Sequence, residues 1–245
     1  MEYDSLKTAR DDTVRDGASF EAYRVPGDLI DSHHANIVAY ARHVAGEGSD
    51  RDKALRLYYA VRDDLRYDPY NTPMKREAYR ASTTLATGHG YCVNKAGVMA
   101  AVCRAVGIAA RVGYADVRNH MTTRRLSELM GSDMFYYHGY TEVWLDDRWI
   151  KATPAFNRQL TERFGLKPLE WDAVADSIYH PFDLGGRRHM EYLAYRGVFA
   201  DIPFDEIRGA FRHYYPRMTR QQEEMPLGGD FGAEGAVEAS GKRAS

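Results

Sequence analysis

Two residues carry the clearest potential for covalent chemistry: Cys92 in GHGYCVNKAG (88–97), and His138, which opens HGYTEVWL (138–145). A core cysteine usually lies inside an apolar run, but Cys92 follows Gly88 and Gly90, residues suited to turning the chain. It precedes AGVMAAVCRAVGIAA (96–110), which reads as a packed helix, so the thiol is expected at a helix N-terminus. There the helix dipole and free N–H groups favour a thiolate and predict a lowered thiol pKa. The same N–H groups can hold an oxyanion once the sulfur has attacked a carbonyl. Such a nucleophile needs a base, and a histidine supplies one. Of the nine histidines, His138 is the best placed, because the start of a strand can project a ring toward a helix end.

The elements that must position this pair follow from the flanking sequence. DLIDSHHANIVAYARHVAG (28–46) has helical spacing with Asp28 or Asp31 as cap, and SDRDKALRLYYAVRDDLRYD (49–68) is a second helix capped by Ser49. Residues 69–88, with Pro69, Asn71, Pro73 and Gly88, read as a long loop with a short helix. The Cys92 helix ends near Gly107, and its Ala96, Gly97, Ala100, Ala101 and Ala105 allow close packing on a sheet. IAARVGYADVR (108–118) reads as a strand, and HMTTRRLSELMGSD (120–133) as a short helix stopping at Gly131. MFYYHGYTEVWLDDRWIKATPAF (134–156) is a hairpin around Asp146–Asp147, which sets Trp144 opposite Trp149 and Tyr140 opposite Thr153. Residues near 153 then lie beside His138 and can orient its ring. Residues 157–200 are mixed, and DIPFDEIRGAFRHYYPRM (201–218) reads as a last helix.

Cys103 lies on the same helix, roughly 16 Å of rise from Cys92 and on nearly the same face. A disulfide needs Cα atoms within about 7 Å, so the two stay free thiols, and Cys103 reads as core filling. Free thiols fit a reducing, cytoplasmic location. MEYDSLKTARDDTVRDG has no apolar h-region, and no apolar stretch reaches about 18 residues, so neither a signal peptide nor membrane contact is expected. Net charge −2 and a pI of about 6.5 give no basic field for nucleic acid. The expected organisation is a polar arm (1–25), one domain (26–222, core about 50–157, C-terminal extension 158–222) and a disordered tail (223–245). His180, Asp183 and His189 do not have zinc-site spacing, so neither metal nor cofactor is expected. Arg187 and Arg188 in the same stretch could cover the cleft and bind an anionic group.

The order of these motifs resembles the transglutaminase-like superfamily, whose core is papain-like. That family has a glycine-rich turn, a Cys opening a helix, a G-I-P-A-R-type strand, then H-x-W-x-E-V and W-V-x-x-D-P. Here these stand as GHGYC (88–92), AVGIAARV (105–112), HGYTEV (138–143) and WIKATP (149–154). The resemblance covers about residues 50–157 and implies an α+β fold, with the Cys helix packed on an antiparallel sheet. It makes Cys92 the nucleophile and His138 its general base, acting on an amide, peptide or thioester of a peptide, protein or small acyl substrate. Where the family has Asp before Pro, this chain has Thr153, a hydroxyl that brings no charge; Asn157 and Asp116 are alternative third members. His89, Tyr91 and Tyr140 are expected to line the cleft. Two alternatives stay open. GYC also resembles the G-G-Y-C turn of arylamine N-acetyltransferases, and a non-catalytic peptide-binding module with a degraded triad would keep the same cleft.

Overall fold

A computed structural model of the chain describes residues 17–119, 122–178 and 190–241. The first α-helix, α1 (Ala35–Ala45), begins later than its periodicity implies: His34 is the N-cap, its ring nitrogen accepting from the Asn36 N–H at 3.4 Å. Asp28 and Asp31 do other work. Asp31 accepts from the Ser82 N–H at 3.0 Å, and Asp28 pairs with Arg76 and Arg80. The segment before α1 is held by Asp201, whose carboxylate accepts from the N–H groups of Asp28, Leu29 and Ile30 at 2.8, 3.0 and 2.8 Å. In α2 (Asp50–Asp64), Ser49 and Asp52 form the reciprocal capping box their spacing encodes.

A two-residue strand β1 (Arg66–Tyr67), a 3₁₀ turn (Arg76–Tyr79) and α3 (Ala81–Thr87) lead to β2 (His89–Gly90), which pairs in parallel with β1. The central helix α4 (Cys92–Ala105) follows at once, and all but its last residue is buried. Then come β3 (Ala110–Asn119), α5 (Arg124–Met130), β4 (Met134–Leu145) and β5 (Arg148–Ala152). Asp146 and Asp147 both have positive φ, 48° and 58°, as a tight two-residue hairpin of the right twist requires. Trp144 stands opposite Trp149 as expected, and the ladder runs to the pair Thr141–Ala152.

After α6 (Arg158–Phe164), β6 (Met190–Phe199) completes an antiparallel sheet of order β5-β4-β3-β6. The expected α+β architecture is present, with α4 packed on β3 and β4. β6 went unread in the sequence because its burial is irregular and its pairing with β3 shifts register twice. The single last helix is two, α7 (Phe204–Tyr214) and α8 (Pro216–Glu224), since Pro216 has no N–H for a continuing helix but suits a first turn.

Two described segments, 17–25 and 223–241, differ from expectation. Within the supposed polar arm, a 3₁₀ turn (Phe20–Tyr23) packs on the hairpin, with Phe20 5.1 Å from Trp144 and Tyr23 5.3 Å from Trp149 between ring centroids. Within the supposed disordered tail, α9 (Phe231–Gly241) is ordered by one aromatic anchor. The Phe231 ring is buried between Tyr67, Tyr70 and Phe164 at 5.6, 5.7 and 5.4 Å, and Glu234 accepts from the Tyr70 hydroxyl at 2.7 Å.

Candidate active site

The glycines before Cys92 have separate reasons. Gly88 ends α3 in the left-handed region at φ 71°, which carries the chain into β2. Gly90 has no room for a side chain, because a Cβ there would lie 2.7 Å from the Asn94 Cβ. Asn94 then fixes the first turn of α4, its Oδ1 accepting from the Tyr91 N–H at 3.4 Å and its Nδ2 donating to the Ala78 carbonyl at 3.0 Å. Cys92 is the first residue of the helix and is 5% exposed.

From the sheet side, β4 meets this turn through Gly139. A Cβ there would lie 3.0 Å from the Val93 Cα and 3.1 Å from the Cys92 carbonyl oxygen, so a side chain would push strand and helix apart by a few tenths of an ångström. The neighbouring residue, His138, is buried, its ring edge-on to Tyr192 at 6.0 Å. Cys92 and His138 both line one pocket. Tyr67, Tyr91, Phe135 and Tyr136 form walls of it, and Phe211, Tyr215, Met218 and Gln222 come from α7, α8 and the residue between them.

The thiol's environment reverses one expectation. Backbone N–H groups of Gly139, Val93 and Cys92 do donate toward the sulfur, which favours the thiolate. Burial works the other way and wins, pushing the Cys92 thiol up to about 11. Cys103, deeper in the same helix, is pushed up to about 12 by burial. The thiol is also ringed by Tyr67, Tyr79, Tyr91, Tyr114 and Tyr215, whose phenols burial raises first and a Cys92 thiolate would raise further. The balance around Cys92 thus favours the protonated thiol.

The remaining expected site residues divide. Tyr91 lines the pocket, its hydroxyl 2.8 Å from that of Tyr79. His89 and Tyr140, expected beside it, are not among the lining residues: His89 sits in the β1–β2 ladder, and the Tyr140 ring fills the space over Gly113. Thr153 is buried, donates its N–H to the Ser177 carbonyl at 3.0 Å and takes the Tyr58 hydroxyl on its own carbonyl at 3.3 Å. Its side-chain hydroxyl has no hydrogen-bond partner among the described residues. Asn157 directs Oδ1 to the Tyr67 N–H at 3.1 Å and so fixes a pocket wall. Asp116 lies beside the bulge preceding His138, accepts from the Tyr137 N–H at 3.3 Å, and is held by Arg196 at 2.6 Å. The stretch with His180, Asp183, Arg187, Arg188 and His189 lies outside the described residues. Among the described residues no cluster of three or more His, Cys, Asp or Glu could hold a metal ion, and no helix is long and apolar enough to cross a membrane.

The family model described as the transglutaminase-like superfamily matches residues 38–154, which contain Cys92, His138 and Thr153. Residues 38–154 are a transglutaminase-like core. No curated protein matches the sequence. Among solved structures, a candidate cysteine protease from Cytophaga hutchinsonii is similar at 18% identity and a TM-score of 0.43, over 73% of this chain and 53% of its own. A candidate protease from Parabacteroides distasonis ATCC 8503 is similar at 14% identity and a TM-score of 0.37, over 55% of this chain and 26% of its own. The chain thus spans about half the length of the first and a quarter of the second.

Sequence reasoning missed the residues that the C-terminal extension adds to this transglutaminase-like core. Phe211, Tyr215, Met218 and Gln222 follow a 4-3-4 spacing, a pattern that signals one buried face although two helices carry it. Nothing in that spacing says which surface the stripe covers.

Proposed function

We propose that the protein is a thiol-dependent acyl-transfer enzyme, with Cys92 as nucleophile and His138 as its general base. The observation that carries this reading is the meeting of Cys92 and His138 at one pocket of a transglutaminase-like core. His138 takes the thiol proton as sulfur bonds to the carbonyl carbon of an amide, peptide or thioester. N–H groups around the sulfur, from Cys92, Val93 and Gly139, are suited to receive the oxyanion. The carbon–nitrogen or carbon–sulfur bond then breaks, and His138 returns the proton to the leaving group. Water or an amine releases the acyl group from Cys92, giving hydrolysis in one case and amide formation in the other.

Thr153, Asn157 and Asp116 remain the proposed orienters of His138. A peptide 4-nitroanilide tests the reading: nitroaniline release should show a burst of one equivalent per chain, which Cys92→Ala and His138→Ala both remove. Release that survives Cys92→Ala would overturn it. The buried, protonated thiol and the uncharged Thr153 favour one second reading, a binding module, which predicts ligand binding with no burst in the unaltered chain.

A further inference from the structure

Gln222 is nine-tenths buried and lines the Cys92 pocket from α8. Its side-chain orientation is fixed: Nε2 donates to the Pro69 carbonyl at 3.0 Å, a contact that the amide oxygen could not make. Its main chain is held as well, since its carbonyl accepts from the Met74 N–H at 3.0 Å. That leaves Oε1 buried with no hydrogen-bond partner among the described residues, so a ligand N–H reaches it only where the pocket lining gives way. A buried acceptor in that state is costly, and it rewards any ligand that brings an N–H. The rest of the lining is apolar or aromatic, with Leu126, Met130, Phe135, Phe211 and Met218, and no Asp, Glu, Lys or Arg is among the lining residues.

We propose that Gln222 is a specificity-determining residue that receives a backbone N–H of a peptide-type acyl donor whose side chain is bulky, neutral and apolar. The inference deepens the acyl-transfer reading and rests on it for the word donor. A plain acetyl or fatty acyl group has no N–H to give Oε1, and an acidic or basic side chain would meet no countercharge on this lining. Because Gln222 lies outside the segment shared with the superfamily, this selectivity belongs to the C-terminal extension.

Binding to full-length Cys92→Ala chain separates this proposal from the catalytic one, because no acylation can intervene. N-acetyl-phenylalanine dimethylamide is titrated by NMR beside its ester analogue, in which oxygen replaces its single N–H, and beside N-acetyl-glutamic acid dimethylamide. The phenylalanine amide should bind roughly tenfold tighter than its ester analogue, the worth of one buried hydrogen bond, and the glutamic acid compound should bind more weakly than both. Gln222→Met, which keeps length and volume, should bring amide and ester to equal affinity. Equal affinities with Gln222 intact, or preference for the acidic ligand, would overturn the proposal without any variant having to fold. If the acyl-transfer reading alone is wrong, this discrimination persists while no burst is seen with the unaltered chain.

Discussion

At the residue scale the account turns on how Cys92 is balanced. Three N–H groups favour its thiolate, while enclosure among tyrosines opposes it more strongly, leaving the thiol near 11. An ordinary cysteine titrates about two units lower, so at neutral pH the resting pocket holds on the order of a hundredfold less thiolate. Because a thiol becomes nucleophilic above its pKa, labelling of Cys92 by iodoacetamide should rise about tenfold per pH unit from 7 to 10. A rate that levels off near pH 8 would contradict the buried-thiol description. The place of Cys92 at the start of a helix was legible in the sequence, since Gly88, Gly90 and the helix after it read directly. The direction of the thiol's pKa was not, because helix position is local while burial of Cys92 is set by tertiary packing.

At the scale of elements, α4 is pinned from both sides. Against β4 the contact depends on Gly139; Gly139→Ala would press a Cβ onto backbone atoms of Cys92 and Val93 that cannot rotate away. It should cost about 1–3 kcal/mol of stability and most of the acylation rate, read as a denaturant midpoint and a burst rate. On its other side, fully buried Lys95 donates Nζ to the carbonyls of Arg62 and Leu65 at 2.8 and 2.6 Å, closing the C-terminal end of α2. Burial holds the Lys95 amine well below the usual lysine range. Between its folded and unfolded pKa values the unfolded chain binds a proton that the folded chain refuses, so Lys95 makes stability rise with pH up to the ordinary lysine pKa. Lys95→Met should flatten that rise between pH 7 and 10 in urea unfolding; an unchanged slope would show that Lys95 is charged in the fold. Most helices and strands were readable, as were the Ser49 cap and the Asp146–Asp147 turn, because their signals are local; the first helix's cap was not, since His34 rather than Asp28 or Asp31 fills it. β6 was not, since its bulged pairing is imposed by β3.

At the scale of the whole molecule, the transglutaminase-like core holds Cys92 and His138, and the C-terminal extension adds Phe211, Tyr215, Met218 and Gln222 to the pocket they line. α9 is part of this closure: Phe231 fills the space between Tyr67, a pocket wall, and Phe164. Phe231→Ala should lower stability by about 3 kcal/mol, measured by urea unfolding, whereas a tail that packs nowhere predicts no change. The α+β class and the Cys–His order were legible because they follow chain order and short motifs. The pocket was not, because Tyr67, Cys92, His138 and Gln222 meet only through tertiary packing. The central claim, that acyl groups pass through Cys92, is tested most directly by intact-mass and peptide mapping after incubation with an activated ester of N-acetyl-phenylalanine. The account predicts one acyl group per chain on the peptide holding Cys92, absent in Cys92→Ala. An adduct on any other residue, or one that persists in Cys92→Ala, would contradict it.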